Sequence, residues 1–177
     1  MFNGNLVRLR GLEKSDIDNI MPWINNPEVT RHLLAFTLPL SRAMEEKWLE
    51  SAVHHTATDK LFAIETLAGE YLGGCGLHHI DSVNRHAEVG IAIGKTDYHG
   101  QGYGTDTLNI LLRLGFHSLN LNKIYLRVFA GNVRGMRCYA KCGFKEVGRH
   151  RQHRFAAGQW QDEIIMEVFR DEWEAGL

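Results

Sequence analysis

The sequence predicts a single mixed α/β domain of the α+β kind, a largely antiparallel twisted sheet flanked by helices. Three observations lead there. Strand-like stretches of period-two alternation outnumber helical ones. Their order is strand, two helices, three strands, helix, strand, helix, two strands, which is neither a strict alternation nor an all-β series. The strand–helix–strand passage from Glu88 to Ala130 is the one place where a parallel crossover is expected.

Each element has a local reason. Leu6 to Arg10 alternates apolar and basic residues, with Val7 and Leu9 on one side, as a short strand does. Ser15 and Asp18 form an S-x-x-D capping pattern, and Ile17, Ile20, Met21 and Ile24 follow at helical spacing. Pro22 inside that run predicts a kink or an early stop. Asn25-Asn26-Pro27 reads as a loop. A second helix begins at Ser41, with Met44, Trp48, Leu49 and Ala52 as its apolar stripe. Leu61–Thr66 and Tyr71–Ile80 read as a hairpin turning at Ala68-Gly69-Glu70, and His86–Ile93 as a further strand.

After three glycines in five residues, Gly100-Gln101-Gly102-Tyr103-Gly104, a helix carries Leu108, Leu111, Leu112, Phe116 and Leu119. Lys123–Ala130 alternates as a strand. Asn132–Cys142 is a short helix ended by Gly143. Phe144–His153 and Gln159–Phe169 close the chain as two strands turned at Ala156-Ala157-Gly158.

The 177 residues suit one domain, residues 1–177, with no repeat or linker to divide it. The chain is 44% hydrophobic and 23% charged, which argues against disorder or coiled coil. Twenty Lys and Arg against 21 Asp and Glu leave a formal net charge of −1, so no bulk attraction to nucleic acid or an anionic membrane is expected. Cys75, Cys138 and Cys142 cannot all pair, and no signal peptide or apolar span is read. A cytoplasmic location is the expectation.

The chemistry concentrates at Tyr98–Thr105, between a strand and a helix N-terminus. Glycines let backbone approach a ligand closely, and the first helical amides have no intrahelical acceptor. With the helix dipole they make an anion site, most naturally for phosphates. A tight turn without a ligand is the plain alternative. G-x-G-x-G is not the dinucleotide G-x-G-x-x-G, and Thr105-Asp106 stands where a phosphate-loop lysine would be.

The segment His99-Gly100-Gln101-Gly102-Tyr103-Gly104 resembles the pyrophosphate loop Gln/Arg-x-x-Gly-x-Gly/Ala of the GNAT superfamily of acetyl-CoA-dependent N-acetyltransferases, with His99 in the Gln/Arg place. About thirty residues on, Ala130-Gly131-Asn132-Val133-Arg134-Gly135-Met136-Arg137-Cys138-Tyr139-Ala140-Lys141-Cys142-Gly143-Phe144 resembles its second signature, A-x-N-x-x-(small)-x-x-x-Y-x-K-x-G-F. Val7–Arg10 and Trp23–Val29 are similar to the opening of the branch that holds ribosomal-protein N-terminal and spermidine acetyltransferases.

The resemblance implies a GNAT-type sheet with a splayed central strand pair. It implies acetyl-CoA as co-substrate, with the backbone of Ile91, Ala92 and Ile93 bonding the pantetheine arm like an added strand. Amides of Gln101, Gly102, Tyr103, Gly104 and Thr105 would hold the pyrophosphate, and Asn132 would contact the cofactor near the pantetheine or thioester end. Tyr139 would protonate the leaving thiolate. The acceptor would be a protein N-terminus, placed first, or a small amine or polyamine, and a homodimer stays open. A non-catalytic acyl-CoA sensor of the same fold is the rival reading.

An alkylammonium must lose a proton before attacking a thioester. Glu88 is the first candidate base, with a salt-bridged strand carboxylate as the plain alternative; His79 and His86 rank behind it. For Tyr139 the alternative is aromatic packing. Glu28 and Asp162 are the carboxylates expected to attract a second ammonium, and Arg134 is expected to be solvated. The acceptor pocket is expected from Trp23–Leu40 and Phe155–Trp160.

No metal site is expected. Cys75, His78 and His79 lack a fourth ligand, and His150 and His153, at i and i+3 on a strand, should face apart. Arg149, Arg151 and Arg154, with His150 and His153, read as a solvated hairpin or as a contact for the cofactor's 3′-phosphate or for an acidic partner. Nothing local activates a cysteine for covalent catalysis.

Overall fold

The structure is a computed structural model describing residues 2–33, 38–156 and 158–176. Seven strands form one sheet: β1 (Val7–Arg10), β2 (Lys60–Thr66), β3 (Tyr71–Asp81), β4 (His86–Ile93), β5 (Lys123–Phe129), β6 (Lys145–Ala156) and β7 (Gln159–Phe169). Their spatial order is β1-β2-β3-β4-β5-β7-β6, antiparallel throughout except for β4 against β5. The expected crossover is therefore the one that forms.

Helix α1 (Ile17–Ile24) starts one residue after a 3₁₀ turn at Lys14–Asp16. The cap differs from the expected Ser15: the Asp16 carboxylate accepts from the Glu13 amide at 2.9 Å. Arg10 donates to both oxygens of Asp16, at 2.8 and 2.6 Å, tying α1 to β1. Nor does α1 stop early at Pro22. Pro22 and Asp18 are both exposed, so the Asp18 carbonyl that loses its helical donor lies where water can serve it. The predicted loop launches a one-turn helix, α2 (Pro27–Thr30), capped by Asn26 with Pro27 at its first position. Ser41 caps α3 (Arg42–Ala52) as expected, accepting from the Met44 amide at 3.3 Å.

Helix α4 (Tyr103–Arg113) runs into a π-turn, Leu114–Ser118, closed by the Leu119 amide on the Leu114 carbonyl. Leu108, Leu111, Leu112 and Phe116 are all 0% exposed, each contributing about 1.5–3 kcal/mol by burial. α5 (Val133–Lys141) follows β5, and a short α6 (Arg170–Glu174) not foreseen in the sequence ends the chain's described part. Two buried clusters lie on opposite faces of the sheet. Phe62 and Ile64 of β2 join the α4 side, while Ala63 between them joins α1, α2 and α3.

The β6–β7 hairpin corrects one expectation. His150 pairs with Glu163 and Arg154 with Gln161, so β6 carries two extra residues there, with Gln152 at φ +50°. The Asp162 carboxylate pins this bulge, accepting from the Gln152 amide at 2.8 Å and from Arg149 at 3.2 Å. His150 and His153 consequently share a side, their rings 4.8 Å apart. Of the predicted turn, Ala157 lies outside the described residues, as do residues 34–37 of the expected acceptor region.

Candidate active site

Strand β4 is the axis of the site. Its parallel pairing with β5 covers three residue pairs and ends at Glu88 opposite Tyr125, although the strands continue to Ile93 and Phe129. Beyond Glu88 they separate, while β3 stays paired with β4 as far as Ile93 opposite Gly73. The β4 backbone groups that would bond β5 are thus open to an extended ligand added as a strand. His99 hydrogen-bonds the Ile93 carbonyl through Nε2 at 2.8 Å, which gives the residue in the Gln/Arg place a supporting role at the end of the gap.

The glycine loop lies beside that gap. Gly100 and Gly102 have φ of +78° and +95°, which side-chain-bearing residues rarely adopt, and Gly102 caps α4. A cleft of about 520 Å³ opens over the loop and the α4 N-terminus, bounded by β4 from Ile91 to Ile93 and by α5. Gly100, Gly102, Gly104, Thr105 and Asn132 line it. Gln101 and Tyr103 do not. Gln101 is exposed and donates to the Asp97 carbonyl, and Tyr103 packs edge-on against Tyr98 at 5.0 Å.

Asn132 is the N-cap of α5, its Oδ1 accepting from the Gly135 amide at 2.9 Å. That leaves Nδ2 as the group free to donate to a ligand. Arg134, Arg137 and Lys141 also line the cleft, all three exposed as expected of Arg134. Their i, i+3, i+7 spacing puts three cations on one face of α5, a signal present in the sequence but not read there. With the α4 amides they make an electropositive cradle suited to the phosphates of a nucleotide cofactor.

On the other side of β4 a second cleft of about 540 Å³ lies among Trp23, Trp48, Tyr71, Glu45, Glu88 and Arg127. His32, Leu33, Ile91, Ala92 and Tyr139 line both clefts, so the two meet at mid-β4 beside the Tyr139 ring. Burial pushes the Tyr139 phenol well above its ordinary value, so it carries its proton at neutral pH. Desolvation, helped by Arg31, Arg134 and His99, holds His32 below the usual imidazole range. Its Nε2 accepts from Arg31 Nε at 3.2 Å. His32 carried no sequence signal, because it lies in a loop with no motif.

Both Glu88 oxygens are held by one guanidinium: Arg127 Nε donates to Oε1 at 2.9 Å and Nη2 to Oε2 at 3.2 Å. Glu88 lines the second cleft, and its plain alternative, the salt-bridged carboxylate, describes its contacts. His79 lies 3.9 Å from Glu88. His86 neighbours Asp81 at 4.0 Å and lines neither cleft.

Besides Glu88, the carboxylate that lines the second cleft is Glu45, not Glu28 or Asp162. Glu28 is exposed on α2, and Asp162 is engaged by the β6 bulge. Glu45 is 6% exposed, and its carboxylate has no hydrogen-bonding or ionic partner among the described residues. Burial alone raises its pKa. It stands three residues before Trp48 and four before Leu49, so the α3 stripe could have disclosed it. The cysteines offer no nucleophile. Burial raises all three thiols, that of Cys142 to about 12.

Residues 7–145 match the model of the acetyltransferase (GNAT) domain. The chain is 31% identical over 175 residues to spermidine N(1)-acetyltransferase of Escherichia coli K12, covering 99% of this chain and 92% of that one. It is 29% identical over 167 residues to the spermidine N(1)-acetyltransferase of Vibrio cholerae, with 94% and 95% covered. The crystal structure of spermidine N-acetyltransferase from Vibrio cholerae in complex with CoA and spermine superposes with a TM-score of 0.86 at 27% identity, covering 95% of this chain and 98% of that one.

Proposed function

Because the chain belongs to the GNAT acetyltransferase family, enzymes that transfer acetyl from acetyl-CoA to an amine, we propose that its acceptor is a polyamine. The observation that carries this reading is Glu45. An unpartnered carboxylate in a cleft walled by Trp23, Trp48 and Tyr71 suits a chain of methylenes bearing a second ammonium. The aromatic faces cover the methylenes, and the carboxylate meets the distal charge. The names of the relatives point the same way. A peptide N-terminus presents one ammonium and then amides, which leaves Glu45 buried without a counter-charge.

In this reading acetyl-CoA enters from the glycine-loop side. Its pantetheine arm bonds the open edge of β4 at Ile91, Ala92 and Ile93. The amides from Gly102 to Thr105, with Arg134, Arg137 and Lys141, hold the phosphates, and Asn132 Nδ2 donates to the arm. The thioester lies where the clefts meet. The amine attacks from the Glu45 side after giving its proton, through a water, to the Arg127-held Glu88 carboxylate. Tyr139, protonated by virtue of its burial, donates to the departing thiolate.

The test is a panel of amines at saturating acetyl-CoA, read by CoA release: spermidine, spermine, N-terminal peptides, amino acids and amino sugars. Polyamines should be turned over with the highest kcat/KM. Acetylation of a peptide N-terminus with spermidine inert would exclude the polyamine reading.

A further inference from the structure

On the hairpin, away from both clefts, three metal-ligating side chains converge. One ring nitrogen each of His150 and His153 and a Glu163 carboxylate oxygen lie within 4.8 Å of one another. Glu163 is 0% exposed, and its Oε1 is a buried acceptor without a hydrogen-bond donor among the described residues. That same oxygen faces His150 Nδ1 at 3.6 Å and His153 Nε2 at 3.9 Å. A buried carboxylate oxygen left unsatisfied is costly and needs a reason.

The backbone supplies the geometry. On a regular strand His150 and His153 would face apart. The two-residue bulge, with Gln152 at φ +50° and pinned by Asp162, turns them to one side over Glu163. Arg154 Nε donates to Glu163 Oε2 at 3.0 Å, which orients the carboxylate so that Oε1 is the oxygen left over. Both imidazoles are about half exposed, with side-chain exposures of 51% and 48%, so each can close on an ion without rearranging the core.

We propose that His150, His153 and Glu163 form a three-ligand site for a divalent transition ion of the zinc type. Two imidazole nitrogens and one carboxylate oxygen are a donor set that such ions accept, with water at the fourth position. Ligand atoms about 2.0–2.1 Å from a tetrahedral ion stand roughly 3.3 Å apart. The two Glu163 contacts, 3.6 and 3.9 Å, are a few tenths of an ångström longer and the group spans up to 4.8 Å, so the exposed rings must turn inward to bind. The ion would satisfy Glu163 Oε1 and fasten the β6 bulge to β7. Arg154 adds a positive charge beside the ion, so binding should be weaker than at a closed structural zinc site.

The test uses the full chain, stripped with chelator and titrated with Zn²⁺ by calorimetry and with Co²⁺ by visible absorption. The cobalt spectrum separates the candidates, since a thiolate ligand adds an intense near-ultraviolet charge-transfer band. The expected result is one equivalent bound, cobalt d–d bands without thiolate charge transfer, and at least a tenfold loss of affinity in His150→Ala and in His153→Ala. Both residues are exposed, so these variants should keep the wild-type circular dichroism. His55→Ala, which alters an imidazole packed on Phe62 of β2 and outside the His150–His153–Glu163 group, should bind as wild type does. Absence of stoichiometric binding, a thiolate band, or unchanged affinity in a His150→Ala, His153→Ala double variant would overturn the proposal.

Discussion

The Glu88 carboxylate is clamped by the Arg127 guanidinium through two hydrogen bonds, 2.9 and 3.2 Å, at the last residue where β4 still pairs with β5. The pair thus stands at the fork of the sheet and on the wall of the second cleft. If Glu88 takes the amine's proton, its position depends on Arg127. Glu88→Gln, Arg127→Gln and the double variant should lower kcat/KM by similar factors, with a coupling energy of about 0.5–3 kcal/mol. Strictly additive losses in the cycle would show that the residues act independently.

Gly102 has φ +95° at the head of α4, and a Cβ there would meet Leu6 Cδ1 at 3.3 Å. Gly102→Val puts a β-branched side chain into a conformation it resists, where the backbone must approach phosphate. Calorimetry on the folded variant should show CoA affinity at least tenfold weaker. Unchanged affinity would remove the loop from the cofactor site.

Asn132 has two separable duties. Its Oδ1 caps α5, so Asn132→Ala should cost about 1 kcal/mol of stability. Asn132→Asp keeps the cap and loses the Nδ2 donor. Its melting temperature should stay near wild type while acetyl-CoA binding weakens. Equal affinity in Asn132→Asp and wild type would limit Asn132 to the cap.

Much of the sheet was legible from alternation, as in β5, where Ile124, Leu126 and Val128 are buried and Tyr125 and Arg127 are not, whereas β2 and β3 are buried on both faces. The glycine loop was legible too, because φ > 0 beside a helix start demands glycine. Ile91 and Tyr139 were named only through the resemblance of the two signatures, and both line the cleft. Missed were residues whose role depends on what lies opposite. Glu45 reads as polar surface until α3 packs over the second cleft, and Arg127 reads as the polar side of a strand until Glu88 is seen across the fork. The His150–His153 convergence was misread because a bulge undoes the strand's period, and nothing in Gln152 announces a positive φ.

Glu45 links function to stability. Burial raises its folded-state pKa above that of the unfolded chain, so the folded state holds the proton more tightly. Stability of the unliganded protein therefore falls as pH rises from about 4.3, the unfolded glutamate value, through the raised folded value. Glu45→Gln should melt above wild type at pH 7, and the difference should vanish at pH 3–4, near and below the unfolded glutamate pKa. Its KM for spermidine should rise roughly tenfold, the scale of one lost charge-assisted hydrogen bond. An unchanged KM would take Glu45 out of acceptor recognition.

The central claim is that transfer occurs where the two clefts meet, with Tyr139 as the acid. Tyr139 packs edge-on against Phe144 at a ring distance of 6.1 Å, a contact that Tyr139→Phe keeps while it loses only the hydroxyl. The measurement is the single-turnover rate of acetyl transfer to spermidine, with acetyl-CoA affinity determined in parallel so that chemistry is separated from binding and release. The account predicts a rate lower by ~10²-fold in Tyr139→Phe, with affinity for acetyl-CoA unchanged. A single-turnover rate within twofold of wild type would contradict it.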